Sequence, residues 1–136
     1  MKLNIWVIKF LIFSFFLVFR VEAQELVSFK VNDQSVVFYD YQDDRITISK
    51  NCVKKKKIQP CMAYKALQAA SFQTLAEEKF QGGANPGAVI CKALKGKVVI
   101  GEDKKANENS FCLFEDKSII DNGSLSYYAT QNDNVK

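Results

Sequence analysis

Cys52, Cys61, Cys91 and Cys112 constrain this chain more than any other feature, because their redox state decides how large a core it needs. The sequence contains no histidine and no closely spaced cysteine pair, so a zinc site lacks its usual ligands. No metal and no cofactor is expected. The chain opens MKLNIWVIKFLIFSFFLVFRVEAQ, with Lys2 and Lys9 ahead of the apolar run from Phe10 to Phe19, and small residues Val21 and Ala23 before Gln24. That is the layout of a secretory signal spanning residues 1–23, with cleavage expected after Ala23. The apolar run is well short of the roughly 20 residues that a membrane span requires. The expectation is a soluble periplasmic or secreted product, with no membrane span in the mature chain. In such a compartment four cysteines favour two disulfides, although their number leaves the pairing open.

Loss of residues 1–23 from 136 leaves 113, which suits one compact domain. It also removes Lys2, Lys9, Arg20 and Glu22, so that 19 basic and 15 acidic residues become 16 and 14, a net of +2. A nearly balanced chain is a poor polyanion binder as a whole, and no nucleic acid partner is expected. One local basic cluster remains, Lys54, Lys55, Lys56 and Lys57, inside CVKKKKIQPC.

Apolar residues alternate through LVSFKV, SVVFYDY and RITIS, with Asn32, Asp33 and then Gln42, Asp43, Asp44 breaking the runs. This predicts a three-stranded antiparallel meander from Leu26 to Ser49. After Pro60, the residues Met62, Ala66, Ala69, Phe72, Ala76 and Phe80 recur at helical spacing until Gly82 and Gly83. Asn85 as cap and Pro86 as first helical residue then start a shorter helix through AVICKAL. KVVI and FCLF read as a strand pair, followed by the turn dipeptide Asn122 and Gly123 and the aromatic segment LSYYA. The order of elements predicts an α+β fold: a meander, basic loop and long helix over 24–83, a small unit over 84–130 and a loose tail over 131–136.

The run NPGAVICKALKGKVVIGEDKKANENSFCLFEDKSIID, with YYA after it, resembles the small bacterial haemolysin-type domain also called domain of unknown function 333. Asn85, Pro86, Cys91, Gly96, Cys112, Asp116, Ser118, Asp121, Tyr127 and Tyr128 carry the resemblance, over residues about 85–129. Lys117 stands where the family often has glycine, and a terminal tryptophan is replaced by Gly123 or Ser124. The resemblance implies export and a small α/β module, and it implies no known reaction. It also implies that Cys91 pairs with Cys112, which leaves Cys52 for Cys61. Each bridge would constrain the unfolded chain by about 3 kcal/mol on the loop-entropy model.

The missing histidine removes the commonest general base. Asp43 with Asp44 and Glu77 with Glu78 are adjacent in sequence, so their side chains diverge and read as solvated surface. No catalytic residues are assigned, and a non-enzymatic protein is expected. The aromatics Phe38, Tyr39, Tyr41, Phe72, Phe80, Phe111, Phe114, Tyr127 and Tyr128 fall at spacings a core requires. Asn122, Gly123 and Ser124 form a glycosylation sequon, of consequence only in a eukaryotic secretory host. Lys54 to Lys57 repel one another and so resist burial. The plainest reading is a charged connector clipped at its base. A second makes them an anion-binding loop for an anionic envelope surface, and a third presents them to a trypsin-like protease as an inhibitor or other protein partner would.

Overall fold

Alternation in the first two strands specifies their register. In the computed structural model, which describes residues 24–75 and 82–135, β1 (Gln24–Val31) and β2 (Gln34–Tyr41) pair from Gln24↔Tyr41 to Val31↔Gln34. The hairpin between them turns on Asn32 and Asp33, both at positive φ, a conformation these two residue types tolerate. β3 (Ile46–Ser49) continues the meander through Tyr39↔Ile48. The expected leader lies outside the described residues, as do Ala76, Phe80, Glu77 and Glu78.

The second half supplies β6 (Lys97–Glu102), β7 (Glu108–Leu113) and β8 (Ile119–Asp121). β8 pairs with β3 at Ile48↔Ile120, and β1 pairs with β6 at Lys30↔Glu102 and Val31↔Gly101. The result is a closed six-stranded antiparallel barrel in the order β1-β2-β3-β8-β7-β6. This corrects the expected α+β arrangement of a separate meander and C-terminal strand pair. Local alternation marks the strands of the meander but carries no signal of which strand edges meet.

The sheet has two buried faces, the outer one covered mainly over β2, β3, β7 and β8, since Leu26 of β1 and Ile100 of β6 stay exposed. One carries Val31, Phe38, Val99, Phe111 and Ile119, with Val27, Phe29, Val36 and Leu113 packed against them; this cluster contains strand residues alone and fills the barrel. Phe29, Phe38 and Phe111 meet there at centroid separations of 4.8 to 5.7 Å. Gly101 leaves room for them, since a Cβ there would lie 2.7 Å from the Phe111 ring. The opposite face carries Tyr41, Ile46, Ile48, Cys112 and Ile120, which pack beneath Ala63, Leu67, Ile90, Leu125 and Ala129 of three helices.

Those helices are α1 (Met62–Ala69), α2 (Pro86–Ala93) and α3 (Asn122–Asn134). α2 begins as the sequence signals, with Asn85 Oδ1 accepting from Ala88 N. α1 is shorter than the expected run from Met62: the chain leaves helical geometry at Ala70, and Asn132 Nδ2 donates to the carbonyls of Leu67, Gln68 and Ala70. The largest local correction is α3. The expected turn at Asn122 and Gly123 with an extended aromatic segment is instead a helix capped by Asp121, which accepts from Ser124 N at 2.9 Å. Leu125 and Ala129, four residues apart, form its buried stripe, and that spacing outweighs the strand preference of two adjacent tyrosines.

Residues 131–134, read from the sequence as loose, complete α3 and hold the end of α1. Asp133 accepts from Ser71 Oγ and from Phe72 N at 2.8 Å. Asp133→Ala should therefore destabilise the protein by about 1.5–3 kcal/mol, the usual worth of hydrogen bonds to a charged group, as measured by urea unfolding.

Candidate functional site

The structure pairs Cys52 with Cys61 and Cys91 with Cys112, as the resemblance implied. The second bridge joins α2 to β7 in the core, and both its cysteines have 0% exposure. The first closes the lysine segment, which is more ordered than a connector. Val53–Lys54 (β4) and Lys57–Ile58 (β5) form a two-stranded hairpin through Val53↔Ile58 and Lys54↔Lys57. Lys55 and Lys56 make its turn, at φ values of 50° and 62°.

A two-residue hairpin turn of this kind favours Asn-Gly, because both central residues adopt positive φ. Lysine in that region costs about 1–2 kcal/mol per residue relative to right-handed geometry. Lys54 and Lys57 also face each other across the strands, where like charges destabilise pairing. Opposing contacts hold the hairpin shut. Gln59 N donates to Cys52 O at 2.7 Å, and the Lys56 carbonyl accepts from Tyr41 Oη at 3.1 Å and Gln24 Nε2 at 3.3 Å. All four lysines are exposed, and among the described residues none lies in an ion pair; the ion pair found there is Lys30 with Asp33. The geometry is a cationic tip braced against the end of β2.

A second feature lies where β2 and β8 end and β3 and α3 begin. Asp40, Arg45, Thr47, Asp121 and Tyr127 line an open hollow of about 370 Å³. Thr47 Oγ1 donates to Asp40 at 2.9 Å, and the Arg45 guanidinium sits 4.8 Å from the Tyr127 ring centre. Burial pushes the Asp121 carboxyl above its ordinary range; hydrogen bonds from Ser124 and Gly123 oppose this, and the charge of Asp40 adds to it. Sequence reading missed this grouping because Asp40 and Asp121 meet only through barrel closure. Among the described residues no group of three or more acidic or cysteine side chains is placed to hold a metal ion.

The remaining sequence expectations resolve locally. Asp43 and Asp44 lie in the exposed β2–β3 turn, and the Asp44 carbonyl accepts from Tyr128 Oη. Helical geometry leaves both Tyr127 and Tyr128 half-buried. Asn122 has 0% exposure and its Nδ2 donates to Ser110 Oγ at 2.6 Å, so the folded chain offers no glycosylation acceptor there. No helix among the described residues is long and apolar enough to cross a membrane.

Comparison with known proteins yields no matching family model, no similar curated protein and no similar solved structure.

Asp121 gives a pH signature of known sign. A carboxyl whose folded pKa is raised contributes most to stability when protonated; that contribution is lost as pH rises from the ordinary value of 3.8 through the folded value. Asparagine retains the cap without the charge. Asp121→Asn should therefore equal or exceed the wild type in stability at pH 7 and lose this advantage towards pH 3, as read from denaturant midpoints across that range.

Proposed function

We propose that this is an exported, non-enzymatic binding protein whose basic hairpin engages an anionic surface of the cell envelope. The observation that carries the reading is the exposed tip formed by Lys54, Lys55, Lys56 and Lys57, held in strained backbone and against mutual repulsion by a disulfide at its base. Strain and like-charge juxtaposition persist only where surrounding structure enforces them, and here they concentrate positive charge on a tip a few residues wide. The leader sequence and the two bridges support export. The ligand chemistry is that of phosphate-bearing head groups or another polyanion, which clustered cations attract at short range.

Replacement of all four lysines by serine should abolish retention on vesicles containing phosphatidylglycerol while leaving stability nearly unchanged, since exposed charges contribute little to it. Wild-type retention should fall steeply between about 0.01 and 0.15 M salt, over which the screening length shrinks from about 30 to about 8 Å. Equal elution of the two proteins at low salt would leave the hairpin as a solvated connector.

The inhibitor reading fares less well on geometry. A substrate-like inhibitor presents an extended segment to its protease, whereas Lys55 and Lys56 occupy left-handed backbone in a tight turn. Stoichiometric assays against trypsin should accordingly show no inhibition at micromolar protein, and tight inhibition would restore that reading.

A further inference from the structure

We propose that the Cys52–Cys61 disulfide is a reducible clasp, through which a dithiol reductant of the exported compartment releases the basic hairpin while the barrel stays folded. The consequence for binding rests on the anion-binding reading above, whereas the clasp rests only on export.

The two bridges differ in access. Cys91 and Cys112 are both fully buried, so neither sulfur is open to an incoming thiolate. Cys52 is equally buried, but Cys61 is partly exposed at the protein surface. Thiol exchange requires approach to a sulfur, which makes Cys61 Sγ the point of attack.

The step balances as an ordinary two-electron exchange. A reductant thiolate attacks Cys61 Sγ, the bond between Cys61 and Cys52 breaks, and its electron pair goes to Cys52 Sγ, which takes up a proton. The second thiolate of the reductant then attacks its own sulfur in the mixed disulfide and expels Cys61 as a thiolate, leaving the reductant as a disulfide. Cys61 is the N-cap of α1, and its sulfur already accepts from Tyr64 N at 3.4 Å. A helix N-terminus favours a thiolate, so the reduced state has a ready-made partner for the charge.

Reduction is also structurally contained. The start of α1 is held independently, by Met62 N donating to Asp116 Oδ2 at 2.8 Å and Ala63 N donating to Ser118 Oγ at 2.9 Å. On the other side β3 is fixed by its pairing with β2 and by Ile119 N donating to Ser49 Oγ. Between these anchors the hairpin retains two register pairs, the Gln59 N to Cys52 O bond, the contacts to Lys56 and the packing of Val53 and Ile58 on the core, against the repulsion of Lys54 and Lys57 and two left-handed lysines. Removal of the bridge shifts that balance towards an open loop.

The test uses the folded protein in graded dithiothreitol, with free thiols trapped by alkylation and mapped by peptide. Cys52 and Cys61 should label at reductant concentrations at least about tenfold below those needed for Cys91 and Cys112. At selective reduction, tryptic cleavage after Lys54 to Lys57 should rise about tenfold, because proteolysis follows the population of the open form. Joint reduction of both bridges, or selective reduction without faster cleavage, would overturn the proposal. The double variant Cys52→Ser, Cys61→Ser should show the fast cleavage without reductant and keep the far-ultraviolet spectrum of the wild type; its unfolding would refute the independence of barrel and clasp. Retention on phosphatidylglycerol vesicles separates the two readings. A loss on reduction supports both, whereas no retention in either state, with cleavage still accelerated, removes the anion-binding reading and leaves the clasp standing.

Discussion

The seam between β3 and β8 is the contact on which the rest of the molecule depends. It contains one register pair, Ile48↔Ile120, too little backbone pairing to hold two halves of a barrel by itself. Serine hydroxyls extend it on both sides: Ser49 Oγ accepts from Ile119 N at 2.8 Å, and Ser124 Oγ accepts from Thr47 N at 3.1 Å. Buried backbone donors need partners, and a side-chain oxygen at each flank satisfies what a longer ladder would have satisfied. Because Ser124 lies in the first turn of α3, the same bond that extends the seam also fixes where that helix leaves the sheet.

Closure of the seam creates two cores from one sheet. The strand positions that point into the barrel receive the phenylalanine cluster, and the alternate positions receive α1, α2 and α3. The helix layer is tight enough that Gly87 of α2 abuts the backbone of Asn122 at the start of α3, where a side chain would collide. The buried Cys91–Cys112 bridge lies within this layer and links α2 to the strand beneath it. Such a bridge stabilises chiefly by limiting the unfolded chain, which suits a domain of this size.

The basic hairpin departs from this pattern of mutual support. Its tip combines residues of the wrong conformational preference with charges of one sign, and it is held by contacts at its base and at Lys56. Local disagreement between sequence and geometry is most often found where function has overridden stability. The barrel bears no such conflict at its core positions.

Much of the local structure was legible in the sequence. Alternation located the first three strands, and Asn85 with Pro86 marked the start of α2, because these signals depend on a few neighbouring residues. The exposure of Lys54 to Lys57 followed from their charge, and the cysteine pairing followed from the resemblance. Other features were not encoded locally. That Ile48 meets Ile120, that Asp40 and Asp121 line one hollow, and that Asn132 caps a helix more than 60 residues earlier are consequences of distant chain segments meeting. The residues around Tyr127 and Tyr128 show the limit most directly. Their strand preference is a matter of tenths of a kcal/mol, whereas burial of Leu125 against the closed sheet is worth about 1.5–3 kcal/mol, and only the tertiary structure provides that surface.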